Sequence, residues 1–402
     1  MVRFVPRLAN GEVINISWSL RIYRSTNHIF WPLDGSTSNC RRWLNYLLVL
    51  LGLLIYLLHT DLELRYIRTN VYDLDAVLTG MPTFLILIEA QLRSFHALRY
   101  REDLRQLLQR FFTQIYVPRQ QHAQLFRQVE RRLIIIRTVA ASFLIAALGY
   151  ISAPVFMLIK QQRSYIFPMV PGFSDQSLFV FVPLVLSSAW VALSIGSMEF
   201  GEPLLICELT THLKARYELL QRDLEQSTAQ LLKAPTPAQV SRQLRQVLVA
   251  TLRRNMQLNQ FAQQVEHQFT VRVFIMFAFS TLLLCTLCFK TYTNPTAGYI
   301  YPVWFVSKTL EIMALGQLGS DLAFQTDTLS TMYYECNWEQ ALFHSSDPQE
   351  NLRLLKVVLL AIELNSQPFY MTGLKYFRVS LQAGLKILQG AFSYFTFLTS
   401  MR

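Results

Sequence analysis

The chain has 402 residues, of which 52% are hydrophobic and only 16% are charged. Soluble domains carry about 25% charged residues, so this composition is that of a membrane protein. The net charge of +11 is distributed between long apolar runs, whereas a nucleic-acid-binding protein concentrates its positive charge on a polar domain. Nucleic acid is therefore excluded as a partner.

Seven segments are predicted to cross a membrane, because a spanning helix needs about 20 mostly apolar residues. The four clearest are residues 43–58, 138–159, 176–198 and 273–289. Three weaker segments are residues 76–88 (with a start near Tyr72), 299–319 and 379–398. The weaker segments are short or contain a charge, which costs about 2.5–3.5 kcal/mol at the centre of a bilayer. We therefore expect them to face protein or water.

Basic segments with helical periodicity lie between the spans, at residues 99–132, 208–226 and 239–268. The last two continue neighbouring spans without a helix breaker, so they are predicted to project well beyond the bilayer. Pro235 and Pro237 mark the turn between them. The sequence thus predicts an all-α integral membrane protein with seven transmembrane helices and long helices that project into the cytoplasm.

The distribution of basic residues predicts the orientation. Thirty Lys and Arg residues lie in the N-terminal segment and the loops on its side, against five in the loops on the other side. Cytoplasmic loops carry the excess of positive charge, so the N-terminus is predicted to be cytoplasmic. A G-protein-coupled receptor has the opposite orientation, with its N-terminus outside. In the predicted orientation the only glycosylation sequon, Asn15-Ile16-Ser17, lies unused in the cytoplasm, which argues against such a receptor. A G-protein-coupled or gustatory-type chemoreceptor remains the alternative.

Three motifs near the C-terminus carry a family resemblance. Residues 377–398 read FRVSLQAGLKILQGAFSYFTFL, residues 332–338 read MYYECNW, and residues 365–377 read NSQPFYMTGLKYF. The chain resembles the insect odorant receptors in these motifs, and in its length, seven spans and inverted orientation. Tyr376-Phe377, where the family has two Phe, is a mild departure.

The resemblance implies a subunit of an odorant-gated, non-selective cation channel in the plasma membrane of a sensory neuron. Such channels are heterotetramers of odorant-binding subunits and a shared co-receptor. The short turn at residues 227–241 lacks the insertion of the co-receptor and resembles an odorant-binding subunit. The implied division is a cytoplasmic segment 1–42, helices one to six in 43–322, a cytoplasmic anchor region 323–376 and a pore-lining helix 377–402.

The last span has two stripes on a 3.6-residue helix, as a pore-lining helix needs. Leu381, Leu385 and Leu388 belong to an apolar stripe, whereas Gln382, Lys386, Gln389, Gly390, Ser393, Phe397 and Ser400 form a small or polar one. The resemblance places Phe397, Ser400 and Met401 at pore-facing positions. A polar stripe used only for helix–helix hydrogen bonds is the alternative.

A ligand cavity is implied in the outer half of the bundle, among spans two, three, four and six. The candidate odorant-binding residues there are Met81, Tyr150, Ala153, Phe156, Phe181, Tyr301, Trp304 and Phe305. None of these is charged, so we expect a small neutral volatile, held by aromatic contacts. The alternative for each residue is ordinary packing in the helix bundle, which is the commoner role of such side chains.

The sequence gives no sign of an enzyme, a cofactor or a metal site. The seven His residues show no partner spacing, and no GxSxG, P-loop or HExxH motif occurs. Cys285 and Cys288 form a CxxC inside an uncharged span, which favours small buried side chains. A transporter would have paired broken helices, which the sequence does not show.

Overall fold

The computed structural model describes residues 3–14, 16–27, 29–160, 163–174, 177–233, 239–293 and 300–400. Eleven α-helices lie within these ranges. They are α1 (Trp18–Thr26), α2 (Asn39–Thr69), α3 (Leu74–Arg99), α4 (Arg101–Arg110), α5 (Ala123–Ile159), α6 (Leu178–Lys233), α7 (Val240–Thr293), α8 (Ile300–Tyr334), α9 (Trp338–His344), α10 (Pro348–Leu364) and α11 (Leu381–Ser400). A π-helix, Phe111–Ile115, follows α4, and two short antiparallel strands, β1 (Thr372–Gly373) and β2 (Phe377–Arg378), precede α11.

The seven predicted spans fall, in chain order, in α2, α3, α5, α6, α7, α8 and α11. By length and composition alone, α2, α3, α6 and α7 are long and apolar enough to cross a membrane. The predicted all-α membrane fold with seven transmembrane helices is confirmed.

Two helices are far longer than a bilayer requires. The 56 residues of α6 and the 54 of α7 correspond to about 84 and 81 Å at 1.5 Å per residue, whereas the hydrocarbon core is about 30 Å thick. The prediction that both continue far beyond the membrane is confirmed. The predicted turn at Pro235 and Pro237 lies outside the described residues.

The described residues form two hydrophobic cores. The larger follows the projecting parts of α6 and α7, where α4, the π-helix and α10 pack against them. The smaller lies between α2, α3, α5, α6 and the N-terminal half of α8. The larger core explains why the long helices remain helical outside the membrane: each buries an apolar face there, which stabilises a helix more than propensity does.

The N-terminal segment is packed against the bundle. Tyr23 of α1 lies against Gly201 of α6, where a Cβ would collide with the ring. Asn27 donates to the backbone oxygen of Ser194 at 3.3 Å and also to the hydroxyl of Ser197. This docking had no counterpart in the sequence prediction, which treated residues 1–42 only as a cytoplasmic segment.

The last helix is held against α8 by a close approach of two backbones. A Cβ at Gly316 or Gly319 would collide with the backbone of Ser380 or Val379, which leads into α11. Small residues allow such approaches between membrane helices. Gly384 and Ala391, two turns apart on α11, are buried on the same side. α11 also packs against α7, where the ring of Phe395 lies 5.8 Å from that of Tyr292.

Candidate ligand site and pore helix

Three candidate ligand residues at the start of α8 enter the smaller core. Trp304 is 6% exposed and belongs to this core, and Tyr301 and Phe305 pack against it. Their positions i, i+3 and i+4 place them on one helix face. The structure therefore brings these three predicted residues together.

Phe181 is buried in the first turn of α6, beneath the loop that joins α5 to α6. The ring of Tyr165 lies 5.4 Å from its ring, and the guanidinium of Arg163 lies 5.4 Å above it. None of the residues predicted to bind ligand is charged, but the charged Arg163 lies in direct contact with Phe181. The loop was missed because it has no periodicity, although Ile166 and Phe167 in it are buried.

The other four candidate residues do not share one environment. Met81 is half-buried on α3. Phe156 is 64% exposed and does not join the other aromatic residues in this chain. The side chains of Tyr150 and Ala153 lie outside the described residues. Their assignment to the ligand site remains a prediction.

A cluster of seven buried charges connects α3, α6, α7 and α8 inside the bundle. Its members are Glu89, Arg93, Glu199, Glu202, Arg272, Lys308 and Glu311, and all are buried. Arg93 binds Glu89 at 2.8 Å and Glu202 at 2.8 Å, and it also pairs with Glu199.

The cluster continues onto α7 and α8. Lys308 lies 2.6 Å from Glu199 and 3.2 Å from Glu311. Arg272 pairs with Glu202. Buried charges are tolerated only when they are paired, so this arrangement explains how the weak spans carry charges at low cost.

The sequence indicated part of this cluster. Lys308 and Glu311 lie inside the predicted weak span 299–319, and Glu89 directly follows the weak span 76–88. All three are buried, in agreement with the expectation that these spans face protein. Glu199 and Glu202 fall just after the predicted end of span four, and Arg272 just before span five. They therefore looked like ordinary residues beside the membrane.

The predicted pore stripe of α11 is open in the single chain. Ser393, Phe397 and Ser400 are exposed, and Phe397 is 60% exposed despite its size. Met401 lies outside the described residues. A membrane helix with an open stripe of this kind needs either a partner subunit or water against it.

Comparisons with known proteins agree over the whole chain. The family model described as 7tm odorant receptor matches residues 73–392. Odorant receptor 35a of Drosophila melanogaster is 52% identical over 100% of this chain and 98% of its own length. Odorant receptor 74a of the same organism is 44% identical over 100% and 99%.

A solved structure matches the fold. The insect olfactory receptor OR5 from Machilis hrabei, in complex with eugenol, superposes with a TM-score of 0.76 over 96% of this chain and 97% of its own, at 12% identity. This similarity shows that the two chains share one architecture from end to end.

Proposed function

The chain belongs to the odorant receptor family, and from this we propose that it is the odorant-binding subunit of a cation channel that it forms with a co-receptor. The observation that carries the proposal is the end-to-end match to two odorant receptors. The open stripe of α11 supports the channel, because a helix of this composition needs water or a partner against it. The chain is a receptor rather than an enzyme.

We propose that the ligand is a small neutral volatile, bound in the outer half of the bundle. The aromatic group of Trp304, Tyr301 and Phe305 supports this, since it offers apolar contact area. Met81, Tyr150, Ala153, Phe156 and Phe181 complete the proposed site. Binding would favour the open channel through a higher affinity for the open state.

We propose that the subunits meet mainly on the cytoplasmic side, through the projecting helices and the anchor region at residues 323–376. Leu352, Leu359 and Leu364 of α10 are exposed in the single chain. Exposed apolar side chains grouped on one helix are typical of an interface. The pore would lie at the centre of the assembly, lined by Phe397, Ser400 and Met401.

We expect the chain to act in the plasma membrane of a sensory neuron. The function is tested by recording currents across the plasma membrane of cells that express the chain with a co-receptor. A panel of neutral volatiles should elicit cation currents within the time of ligand exchange. The currents should persist when G-protein signalling is blocked, because the ligand site and the pore belong to one assembly. Responses that require a G protein would favour the alternative.

A further inference from the structure

The buried charge cluster has one acidic group more than it has basic groups. The acidic groups are Glu89, Glu199, Glu202 and Glu311, and the basic groups are Arg93, Arg272 and Lys308. His96 does not supply a fourth cation, because its ring is half-buried and lies close to Arg272, whose charge repels a second proton. An uncompensated buried charge is costly, so the cluster needs one further positive charge.

Glu311 receives the least compensation of the four acidic groups. The other three each pair with Arg93. Oε2 of Glu311 lies 3.2 Å from Nζ of Lys308, but Lys308 lies closer to Glu199, at 2.6 Å. Oε1 of Glu311 is buried and has no hydrogen-bond partner in the described part of the chain. The missing positive charge is therefore most strongly attracted to Glu311.

A small cavity between α5, α6 and α8 lies beside Glu311. Glu199, Pro203 and Cys207 of α6 line it together with Glu311, and α5 contributes only apolar side chains. Its volume of about 20 Å³ is enough for one water molecule. Mg²⁺ and Ca²⁺ take about six or more oxygen ligands, and this wall does not offer them. A proton is the positive charge that fits such a site.

The cavity also contains an acceptor for that proton. Pro203 has no N–H, so the backbone oxygen of Glu199, four residues earlier on α6, lacks the donor that a helix normally gives it. A protonated Glu311 has an O–H to donate, whereas an ionised one only accepts. One water molecule in the cavity would connect this O–H with the backbone oxygen of Glu199.

We propose that Glu311 is a buried proton-binding site, protonated at neutral pH while the other three acidic groups of the cluster stay ionised. The proton makes the cluster neutral and turns Glu311 into a hydrogen-bond donor. The site adjoins the pore helix, because Ile312 and Met313, the next residues on α8, pack against Gly384 of α11. The protonation of Glu311 is therefore coupled to the contact between α8 and α11. This inference goes beyond the proposed function and does not depend on the identity of the odorant.

Infrared difference spectroscopy on the purified receptor in detergent tests for the proton directly. A protonated carboxyl group has a carbonyl stretch that ionised carboxylates lack. The difference between wild type and Glu311→Gln at neutral pH should therefore contain one such band. Glu335→Gln, which changes an exposed carboxylate just beyond α8, is the matched control and should give none. Absence of the band, or its loss in Glu89→Gln instead of Glu311→Gln, would overturn the proposal.

The second test measures the melting temperature against pH. A group that binds its proton more tightly in the folded state stabilises the protein at low pH, and this stabilisation is lost as the pH rises through its folded-state titration. Raising the pH from about 6 to about 9 should lower the melting temperature of the wild type by at least about 2 °C more than that of Glu311→Gln. Glu335→Gln should follow the wild type.

Parallel curves for the wild type and Glu311→Gln would contradict a proton at this site. Failure of Glu311→Gln to fold, where Glu335→Gln folds, would also overturn the proposal. The amide of Gln has the shape and the neutral charge of a protonated carboxyl group, so the substitution should be tolerated if Glu311 holds a proton.

Discussion

At the scale of single residues, the main feature is the number of charges buried in the bundle. Removing one partner of a buried ion pair destabilises a protein by about 3–5 kcal/mol, because the other charge remains buried and unpaired. Lys308 should show this effect clearly, because its side chain is fully buried and lies near the carboxyl groups of Glu89, Glu199 and Glu311.

Lys308→Met should therefore lower the free energy of unfolding by about 3–5 kcal/mol. The measurement is thermal unfolding of the purified receptor in detergent, monitored by size-exclusion chromatography. Arg254→Met, which breaks a solvent-exposed ion pair with Asp223, is the control and should change stability by less than about 0.5 kcal/mol. Similar losses in the two variants would mean that the cluster contributes no more than a surface pair.

The ligand site gives a second prediction at this scale. Trp304→Ala would open a cavity and cost about 3–5 kcal/mol, so Trp304→Phe is the sharper change because it keeps a ring in the core. We expect the odorant concentration for half-maximal current to rise by about threefold to tenfold, with normal surface expression. Trp338→Phe, on α9 in the anchor region, should leave the response unchanged. A fall in surface expression without a change in potency would assign Trp304 to packing.

At the scale of elements, the last helix and its approach to α8 define the pore hypothesis. The glycines at 316 and 319 fix which face of α11 is buried, and the stripe that ends at Ser400 is left open. Selectivity should be weak among monovalent cations, because Ser400 is small and neutral and its neighbours Phe397 and Met401 are apolar. The stripe also has no carboxylates that would hold calcium tightly.

Ser400→Lys should place a positive charge near the mouth of the pore and reduce the cation current by repulsion. Ser400→Glu has a similar size and the opposite charge, so it serves as the matched comparison and should raise the preference for cations. Odorant potency should change less in both, since the ligand site is elsewhere. If recordings show the same conductance and ion preference for both variants and the wild type, α11 only packs against its neighbours.

The elements also show what a single sequence can predict. The spans were predictable because hydropathy depends on local composition, and the long projecting helices because no breaker interrupts them. The sequence indicated only part of the buried charge cluster. Lys308 is recognisable as a charge inside a predicted span, but its partner Glu199 lies just beyond the end of another span. The distance between them depends on how four helices pack. The docking of Tyr23 on Gly201 and the position of Arg163 above Phe181 are tertiary contacts, which the pattern of one segment alone does not reveal.

At the scale of the whole molecule, the orientation in the membrane decides which face meets the odorant. The predicted cytoplasmic N-terminus places Cys40, at the start of α2, on the inner side. This cysteine is exposed, Cys288 is half-buried, and Cys207, Cys285 and Cys336 are buried. Burial raises the pKa of the Cys336 thiol to about 11, which keeps it protonated and unreactive at neutral pH.

Cys40 should react with a membrane-permeant maleimide in intact cells and should be protected from an impermeant one applied outside. Labelling is read by the mass shift of the purified receptor, and Cys40→Ser is the control that should abolish it. Permeabilised cells should label with both reagents. Reaction of Cys40 with the impermeant reagent in intact cells would reverse the orientation and move the proposed odorant site to the cytoplasm.

Because α6 is one continuous helix, a movement at one of its ends is transmitted to the other end. It begins at Leu178 and remains helical to Lys233, with Pro183 and Pro203 inside it, so both ends belong to one helix with a contour length of about 84 Å. A tilt of about 2° about the middle of this helix would displace the far end by about 1.5 Å, on the order of the shifts seen at allosteric helix interfaces. Glu199 and Glu202 lie near the middle of this helix in the buried charge cluster, and they mark the point about which the helix would tilt.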